Sequence, residues 1–171
     1  MTKSLGVLVA VLAVCLAGAG GGARAAADAP PKEPTPIAVL DLDYIDTSGE
    51  PTDQVAAHER RMADFVEALR RDLTAGGRYR IVPLACGAKP CASDTNPAEV
   101  QKAARDAGAR LVVIGAVHKM STLVEWAKID VANEAEDRIV FDRLLTFRGD
   151  TDEAWKKAET FGAREILEAS P

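Results

Sequence analysis

Residues 111–117 read Leu-Val-Val-Ile-Gly-Ala-Val, an apolar run without a charged side chain. Such a run is typical of a strand in the middle of a sheet, covered on both faces. The segment before it predicts a helix that starts at Asn96, has Pro97 at its first position and ends at Gly108. The chain therefore enters this strand from a helix, as it does in a crossover between parallel strands.

A second apolar strand is predicted upstream, from Ile37 to Ile45, and its last part alternates between acidic and apolar residues. From Gln54 to Ala75 apolar residues recur every three or four positions, which indicates an amphipathic helix. Gly76 and Gly77 end that helix, and Tyr79 to Leu84 reads as a short strand. The first half of the chain is thus predicted to contain two crossover units.

The second half predicts a meander. The segments Thr122–Val131 and Arg138–Phe147 alternate in polarity and flank a polar turn, which favours an antiparallel hairpin. Residues 150–153, Asp-Thr-Asp-Glu, predict the start of a last helix. The predicted fold is α/β with α+β character: a mixed sheet of about five strands in the order β-α-β-α-β-β-β-α, packed by three helices in one domain, residues 37–169.

The N-terminus predicts export. Lys3 precedes a short apolar run, and small residues follow it, so residues 1–27 read as a signal peptide cleaved after Ala25 or Ala27. Residues 28–36 read as a flexible leader. Cys15 lies in a lipobox-like context, but Val14 occupies a position where a small residue is expected, which disfavours lipidation. We therefore expect a periplasmic protein without a transmembrane anchor.

Export leaves two cysteines, Cys86 and Cys91, in an oxidising compartment, and a structural disulfide between them is predicted. A redox or metal pair is the alternative at this spacing. The net charge of −5 and the interleaved charges argue against binding to nucleic acid or anionic lipid, both of which need concentrated Lys or Arg.

The sequence offers two candidate chemical sites. Asp41, Asp43 and Asp46 are weak candidates for a cation site, because carboxylates after a strand can supply oxygen ligands, but Ile45 and Asp46 depart from a calcium-loop motif. Ser121 beside His118 can be imagined as a nucleophile with its base, yet no nucleophile-elbow sequence surrounds the serine. No phosphate-binding fingerprint is present, and no cofactor is predicted.

Protein contact is the interpretation that accounts for the most distinctive side chains. The segment around the predicted hairpin turn and the junction before the last helix contain residues of the kind that anchor protein interfaces. The candidate interaction residues are His118, Lys119, Met120, Arg143 and Arg148. His58 lies on the apolar stripe of the long helix, where a hydrogen-bonded core histidine is the usual explanation.

Several segments resemble known families. The run Ile37-Ala38-Val39-Leu40-Asp41, the helix that ends in Gly-Arg-Tyr and the segment 108–115 resemble the amino-terminal domain of TolB and the curli-secretion lipoprotein. Residues 117–124 and 141–155 resemble an uncharacterised family of secreted bacterial proteins, and this resemblance extends over residues 37–167. It implies no activity, and the wider fold implies envelope assembly and protein contact.

The sequence therefore predicts a non-catalytic periplasmic accessory protein. Its partner is expected to be another periplasmic or outer-membrane protein, or a second copy of itself, bound through a sheet edge or hairpin. The alternative is a binder of a small ligand or metal ion that uses the region from Asp41 to Asp53.

Overall fold

The described part of the chain, residues 33–171 of a computed structural model, contains eight strands and three helices. The strands are β1 (Thr35–Val39), β2 (Asp43–Asp46), β3 (Tyr79–Ile81), β4 (Ala85–Cys86), β5 (Lys89–Pro90), β6 (Leu111–Lys119), β7 (Val124–Asn133) and β8 (Arg138–Arg148). The helices are α1 (Val55–Ala75), α2 (Pro97–Ala107) and α3 (Asp152–Ala169). The predicted signal peptide, Cys15 and the start of the leader lie outside the described residues.

One mixed sheet organises the fold, in the order β3-β1-β6-β7-β8. β1 runs parallel to β3 and β6, whereas β6, β7 and β8 form the predicted antiparallel meander. β2 pairs in parallel with the second half of β6. The predicted mixed sheet of about five strands with three helices is confirmed.

The strand predicted from Ile37 to Ile45 is two strands. Leu40 still donates its N–H to Val113 of β6, but the next N–H, of Asp41, bonds to the carbonyl of Cys91. Asp41 also forms an isolated bridge with Ala92, so the disulfide loop interrupts the pairing with β6. Pairing with β6 resumes at Asp43. The side chains of this part of the chain line one side of a groove that is described below.

Two close approaches fix how the layers pack. A Cβ atom on Gly115 of β6 would lie 2.2 Å from the carbonyl oxygen of Lys128 on β7, so only glycine allows these strands to pair here. A Cβ atom on Gly162 of α3 would lie 2.8 Å from the Ile129 side chain. Small residues thus bring α3 close to β7.

The core is divided between the two faces of the sheet. The larger part, which includes Phe65, Leu69, Ile129, Trp155 and Ile166, lies beneath α1 and α3. A smaller part packs α2 against β1 and the start of β6. Along β7 the odd-numbered residues are buried in the larger core, while the even-numbered residues of the opposite face are only half-buried.

The helix starts follow the predicted capping chemistry. The Asn96 side chain accepts the N–H of Ala98, and the Thr151 hydroxyl accepts the N–H of Ala154. Gly108 ends α2 in the left-handed conformation, with φ of 70°. These local bonds set where the chain leaves β8 and enters α3, which places Asp150 at the end of the sheet.

The predicted disulfide is confirmed. Cys86 and Cys91 are bonded, with a Cα–Cα distance of 4.9 Å, and the short strands β4 and β5 pair within the closed loop. The Cys91 side chain is buried in the smaller core, so the bridge attaches the loop to α2. Within the described residues, none of the helices has the length and apolar character needed to cross a membrane.

Candidate functional site

A cluster of charged side chains lies inside the protein where β6 ends and β7 begins. It contains His58 of α1, Lys119 of β6, Glu125 of β7 and Asp150, which follows β8; we call these four residues the buried charge cluster. Lys119 and Glu125 are 0% exposed and His58 is 3% exposed. Charged groups are rarely buried to this extent unless they are paired, so their partners decide what the cluster can do.

Lys119 is the central cation. Its ammonium group lies 2.8 Å from Asp150 Oδ2 and also contacts the Glu50 carboxylate and the Gln54 side-chain oxygen. Burial by itself lowers the pKa of a lysine, but the hydrogen bonds and negative charges of Asp150 and Glu50 outweigh it, and the pKa of Lys119 is raised. Lys119 is therefore a buried, permanently charged ammonium.

Asp150 is the main hydrogen-bond acceptor of the cluster. His58 Nε2 lies 2.8 Å from its Oδ2 atom, Arg61 contacts its other oxygen, and the Trp155 indole donates to it at 3.3 Å. Burial raises the pKa of Asp150, but the hydrogen bonds from Lys119 and His58 reverse that effect and lower it to about 2. Asp150 is thus an ionised carboxylate in a site built to hold it.

Glu125 has the opposite environment. Neither of its carboxyl oxygens accepts a hydrogen bond from a donor among the described residues. Burial, followed by the negative charge of Asp150, raises the pKa of Glu125 to about 8. At neutral pH this carboxyl group is protonated and neutral, which removes its repulsion of the ionised Asp150.

The cluster was not predicted from the sequence, although the positions of Lys119 and Glu125 contain a signal for it. Lys119 stands two residues after Val117, and Glu125 stands two residues before Ala127, so both share the face of the apolar core residues. The two are directly opposite each other in the β6–β7 register. A lysine and a glutamate in phase with a core face indicate buried titratable groups, and in the structure Lys119 pairs with Asp150 and Glu50 rather than with Glu125.

The cluster includes a possible set of metal ligands. One ligand atom each from His58, Glu125 and Asp150 lies within 4.8 Å of the others. However, the Lys119 ammonium is 2.8 Å from the Asp150 oxygen that an ion would use, so a metal ion would have to displace a buried cation. The donor set is therefore better suited to holding Lys119 than to holding a metal.

The predicted cation candidates are not brought together. Asp41 pairs with Arg70 at 3.0 Å, and Asp46 accepts the N–H of Ser48 at 2.8 Å. Burial and the nearby charge of Asp94 raise the pKa of Asp43. Among the described residues, these three carboxylates form no group with ligand atoms close enough to share one ion.

The predicted interaction residues divide between three environments. His118 lies on the face of the sheet opposite α1 and α3, and Met120 at the adjoining turn and Arg148 at the end of β8 are exposed. Arg143 lies on the other face, where it pairs with Glu165 of α3 at 3.0 Å. Lys119 must be removed from the predicted surface, because its side chain is fully buried.

His118 has neighbours that suit contact rather than catalysis. Its Nε2 atom lies 2.7 Å from the Thr47 hydroxyl, and its ring meets that of Trp126 edge-on at 4.9 Å. The Ser121 hydroxyl accepts the N–H groups of Leu123 and Val124 and so stabilises the turn. The imagined pair of Ser121 and His118 is therefore not assembled.

The region around His118 is part of an uncovered sheet surface. Ile45 of β2, His118 of β6, Trp126 of β7 and Leu144 of β8 lie on the same side of neighbouring strands; we call these four residues the open face. Ile45 is 43% exposed and Leu144 is 56% exposed. Among the described helices, α2 alone lies on this side, and it packs over β1 and the start of β6.

A groove lies between residues 41–46 and one side of α1. Its volume is about 1090 Å³, and Tyr44 and His58 at its inner end connect it with the buried charge cluster. Seven of its lining side chains are carboxylates, among them Asp46, Glu50, Glu59 and Glu67. The Asp41–Asp53 region singled out from the sequence thus forms one wall of a cavity.

The comparisons with known proteins agree with this architecture. TolB from Acinetobacter baumannii is similar over 81% of this chain and 29% of its own length, with a TM-score of 0.52 and 14% identity. The PelC dodecamer from Paraburkholderia phytofirmans is similar over 80% of this chain and 88% of PelC, with a TM-score of 0.51 and 17% identity. The hypothetical protein CT253 from Chlamydia trachomatis gives a TM-score of 0.50 at 12% identity, over 79% of this chain and 94% of its own.

These likenesses show the fold, and they confirm the resemblance to TolB at that level. No curated protein sequence matches the chain. The family model described as "Protein of unknown function (DUF2380)" matches residues 35–167, which is most of the chain. The chain therefore belongs to that family.

Proposed function

We propose that this member of the family is a non-catalytic accessory protein of the bacterial periplasm, which binds another envelope protein or a second copy of itself through the open face. The observation that carries the proposal is the uncovered part of the sheet, where Ile45 of β2 and Leu144 of β8 are exposed on either side of the half-buried His118 and Trp126. Aromatic residues beside such a patch are the usual anchors of a protein interface. Trp126, half-buried and held by His118, is an anchor of this kind.

The contrast between the buried charge cluster and the open face supports the same proposal. In the buried charge cluster Asp150 contacts both His58 and Lys119 at 2.8 Å, which holds these enclosed side chains in place. On the open face, by contrast, Leu144 is exposed although it lies in the middle of β8. Exposed apolar residues grouped on one surface favour association, because contact removes them from water.

Site-specific photo-crosslinking tests the proposal. A photoreactive side chain at Leu144, in protein produced in a bacterium with its own envelope, should give a light-dependent covalent complex. The same group at Lys157, exposed on α3, is the control and should give none. Leu144→Asp should remove the complex that a photoreactive group at Trp126 forms. Equal products from both positions, or none from Leu144, would refute the proposal.

Self-association is one form of this function. PelC, which is similar in fold, forms a dodecamer, so the mass of the crosslinked complex and of the purified chain in solution distinguishes a second copy from a different protein. A complex with a mass that is a multiple of the chain mass would identify self-association.

The alternative of a small-ligand or metal binder is favoured by one observation, the groove formed by the Asp41–Asp53 region. A ligand that binds only the native state raises the melting temperature. Millimolar Ca²⁺ should leave the melting temperature of the wild type unchanged if protein contact is the function. A rise that is lost in the Asp41→Asn, Asp43→Asn variant would favour the metal binder instead.

A further inference from the structure

The sheet has a vacant strand position beside β2. β3 pairs with β1 from Tyr79 to Ile81, and the Val82 N–H also bonds to the carbonyl of Ile37, so this pairing ends before β2 begins. β1 and β2 pair with the same edge of β6, one after the other. Within the described residues no strand pairs with the other edge of β2. An exposed edge of this kind leaves backbone donors and acceptors free to pair with an added strand.

The groove has the dimensions of such a strand. Its α1 wall extends from Val55 to Arg70, which corresponds to about 22 Å along a helix. An extended segment of about seven residues has the same length. The opposite wall includes Leu42 and Tyr44, and the hydroxyl oxygen of Tyr44 is buried without a hydrogen-bond partner among the described residues.

The charge of the groove is strongly one-sided. Seven lining side chains are carboxylates, whereas the one guanidinium among the described lining residues, that of Arg70, is paired with Asp41. Glu59 and Glu67 are exposed on the α1 wall, and Asp46 is exposed on the β2 wall. An occupant with positive side chains would therefore meet carboxylates on both walls, and a negative occupant would be repelled.

We infer that the groove binds a basic polypeptide segment in an extended conformation, which lies along the free edge of β2. Main-chain pairing with β2 supplies affinity, and the carboxylates select lysine or arginine side chains. The groove is a different surface from the open face, so this inference can fail while the proposed function holds, and the reverse.

Binding of a synthetic peptide by the purified chain tests the inference. The probe is a seven-residue peptide of alternating lysine and valine, measured by isothermal titration calorimetry at low salt. Glu59→Lys with Glu67→Lys should weaken its binding about tenfold or more, because both exposed carboxylates then repel it. Asp106→Lys with Glu168→Lys, exposed near the ends of α2 and α3, changes the net charge equally and should bind within about twofold of the wild type.

Further arms separate pairing with β2 from simple charge attraction. A peptide of the same sequence with alternate backbone nitrogens methylated should bind about tenfold more weakly, because methylation removes the donors that pair with an edge. The variant Leu144→Asp on the open face should bind the probe as the wild type does. Spermidine, a polyamine cation without a peptide backbone, tests for charge attraction alone. The inference is overturned if the probe does not bind, or if the control pair of substitutions weakens its binding as much as the groove pair does. It is also overturned if the methylated peptide or spermidine binds as tightly as the probe.

Discussion

Replacing Glu125 with Gln should make the protein more stable at neutral pH and leave its stability nearly unchanged at pH 4. The Glu125 carboxyl is 0% exposed, accepts no hydrogen bond from a donor among the described residues, and lies beside the ionised Asp150. Gln has the shape of the protonated acid but cannot acquire a charge. Above pH 4.5 the wild-type protein must bind a proton at Glu125 in order to fold, and this lowers its free energy of unfolding. The variant binds no proton there, so it does not lose that stability.

The pKa values set the sign and the size of the effect. Burial and then Asp150 raise the pKa of Glu125 from 4.5 to about 8, so between these values the folded protein holds a proton that the unfolded chain has released. Stability from this group is complete below pH 4.5 and is lost as the pH rises toward 8, by up to about 1.4 kcal/mol per unit. The upper bound at pH 7 is about 3 kcal/mol, and we expect about 2 kcal/mol because local relaxation weakens buried electrostatic effects.

Urea unfolding between pH 4 and pH 8.5 measures this directly. The gain of Glu125→Gln over the wild type should grow with pH, whereas Glu168→Gln, exposed on α3, should show no growing gain. Glu159 contributes a slope of the same sign, because burial and then the charge of Asp72 raise its pKa to about 7, so the variant should lose only part of the wild-type slope. A gain that is constant with pH, or a variant less stable than the wild type at pH 8, would refute the reasoning.

Three further predictions concern stability, each measured by urea unfolding at pH 7. Replacing Cys86 and Cys91 together with Ser should cost about 2 kcal/mol and leave the fold intact, since the disulfide closes a short loop; unfolding of the whole chain would contradict this. Phe65→Ala should lower the free energy of unfolding by about 3–5 kcal/mol, because Phe65 is 3% exposed and packs edge-on against Trp155. By contrast, His118→Ala should lower it by less than about 1 kcal/mol and should weaken the contact with the partner. Lys119→Met should cost about 3–5 kcal/mol by leaving its carboxylate partners without their buried cation, and a neutral outcome would show that the cluster does not need it.

The elements that could be predicted from sequence are those fixed by local chemistry. Asn96 with Pro97 predicted the start of α2 because a cap satisfies groups within one helical turn. The apolar period predicted α1 to within one residue at its start. By contrast, the interruption after Leu40 depends on Cys91 and Ala92, which are distant in sequence and come close only in the folded chain.

The candidate site was predicted less well, because its contacts also join residues that are distant in sequence. His58 was expected to be a hydrogen-bonded core residue, and the structure buries it against Asp150. Lys119 was predicted to lie on an interaction surface because it adjoins the hairpin turn, but its phase with Val117 places it on the core face of β6. Glu125 was not singled out at all, because the significance of a buried acid depends on which groups of other elements surround it.

The meeting of His58 with Asp150 also bears on the order in which the chain folds. These residues are 92 positions apart, whereas β7 and β8 are joined by a short turn. Closing the longer loop costs more chain entropy, so the hairpin can form well before α1 reaches the residue that follows β8. We therefore expect the contact between His58 and Asp150 to form late in folding. Substitutions there should chiefly change how fast the native protein opens, and those in the β7–β8 hairpin how fast it forms.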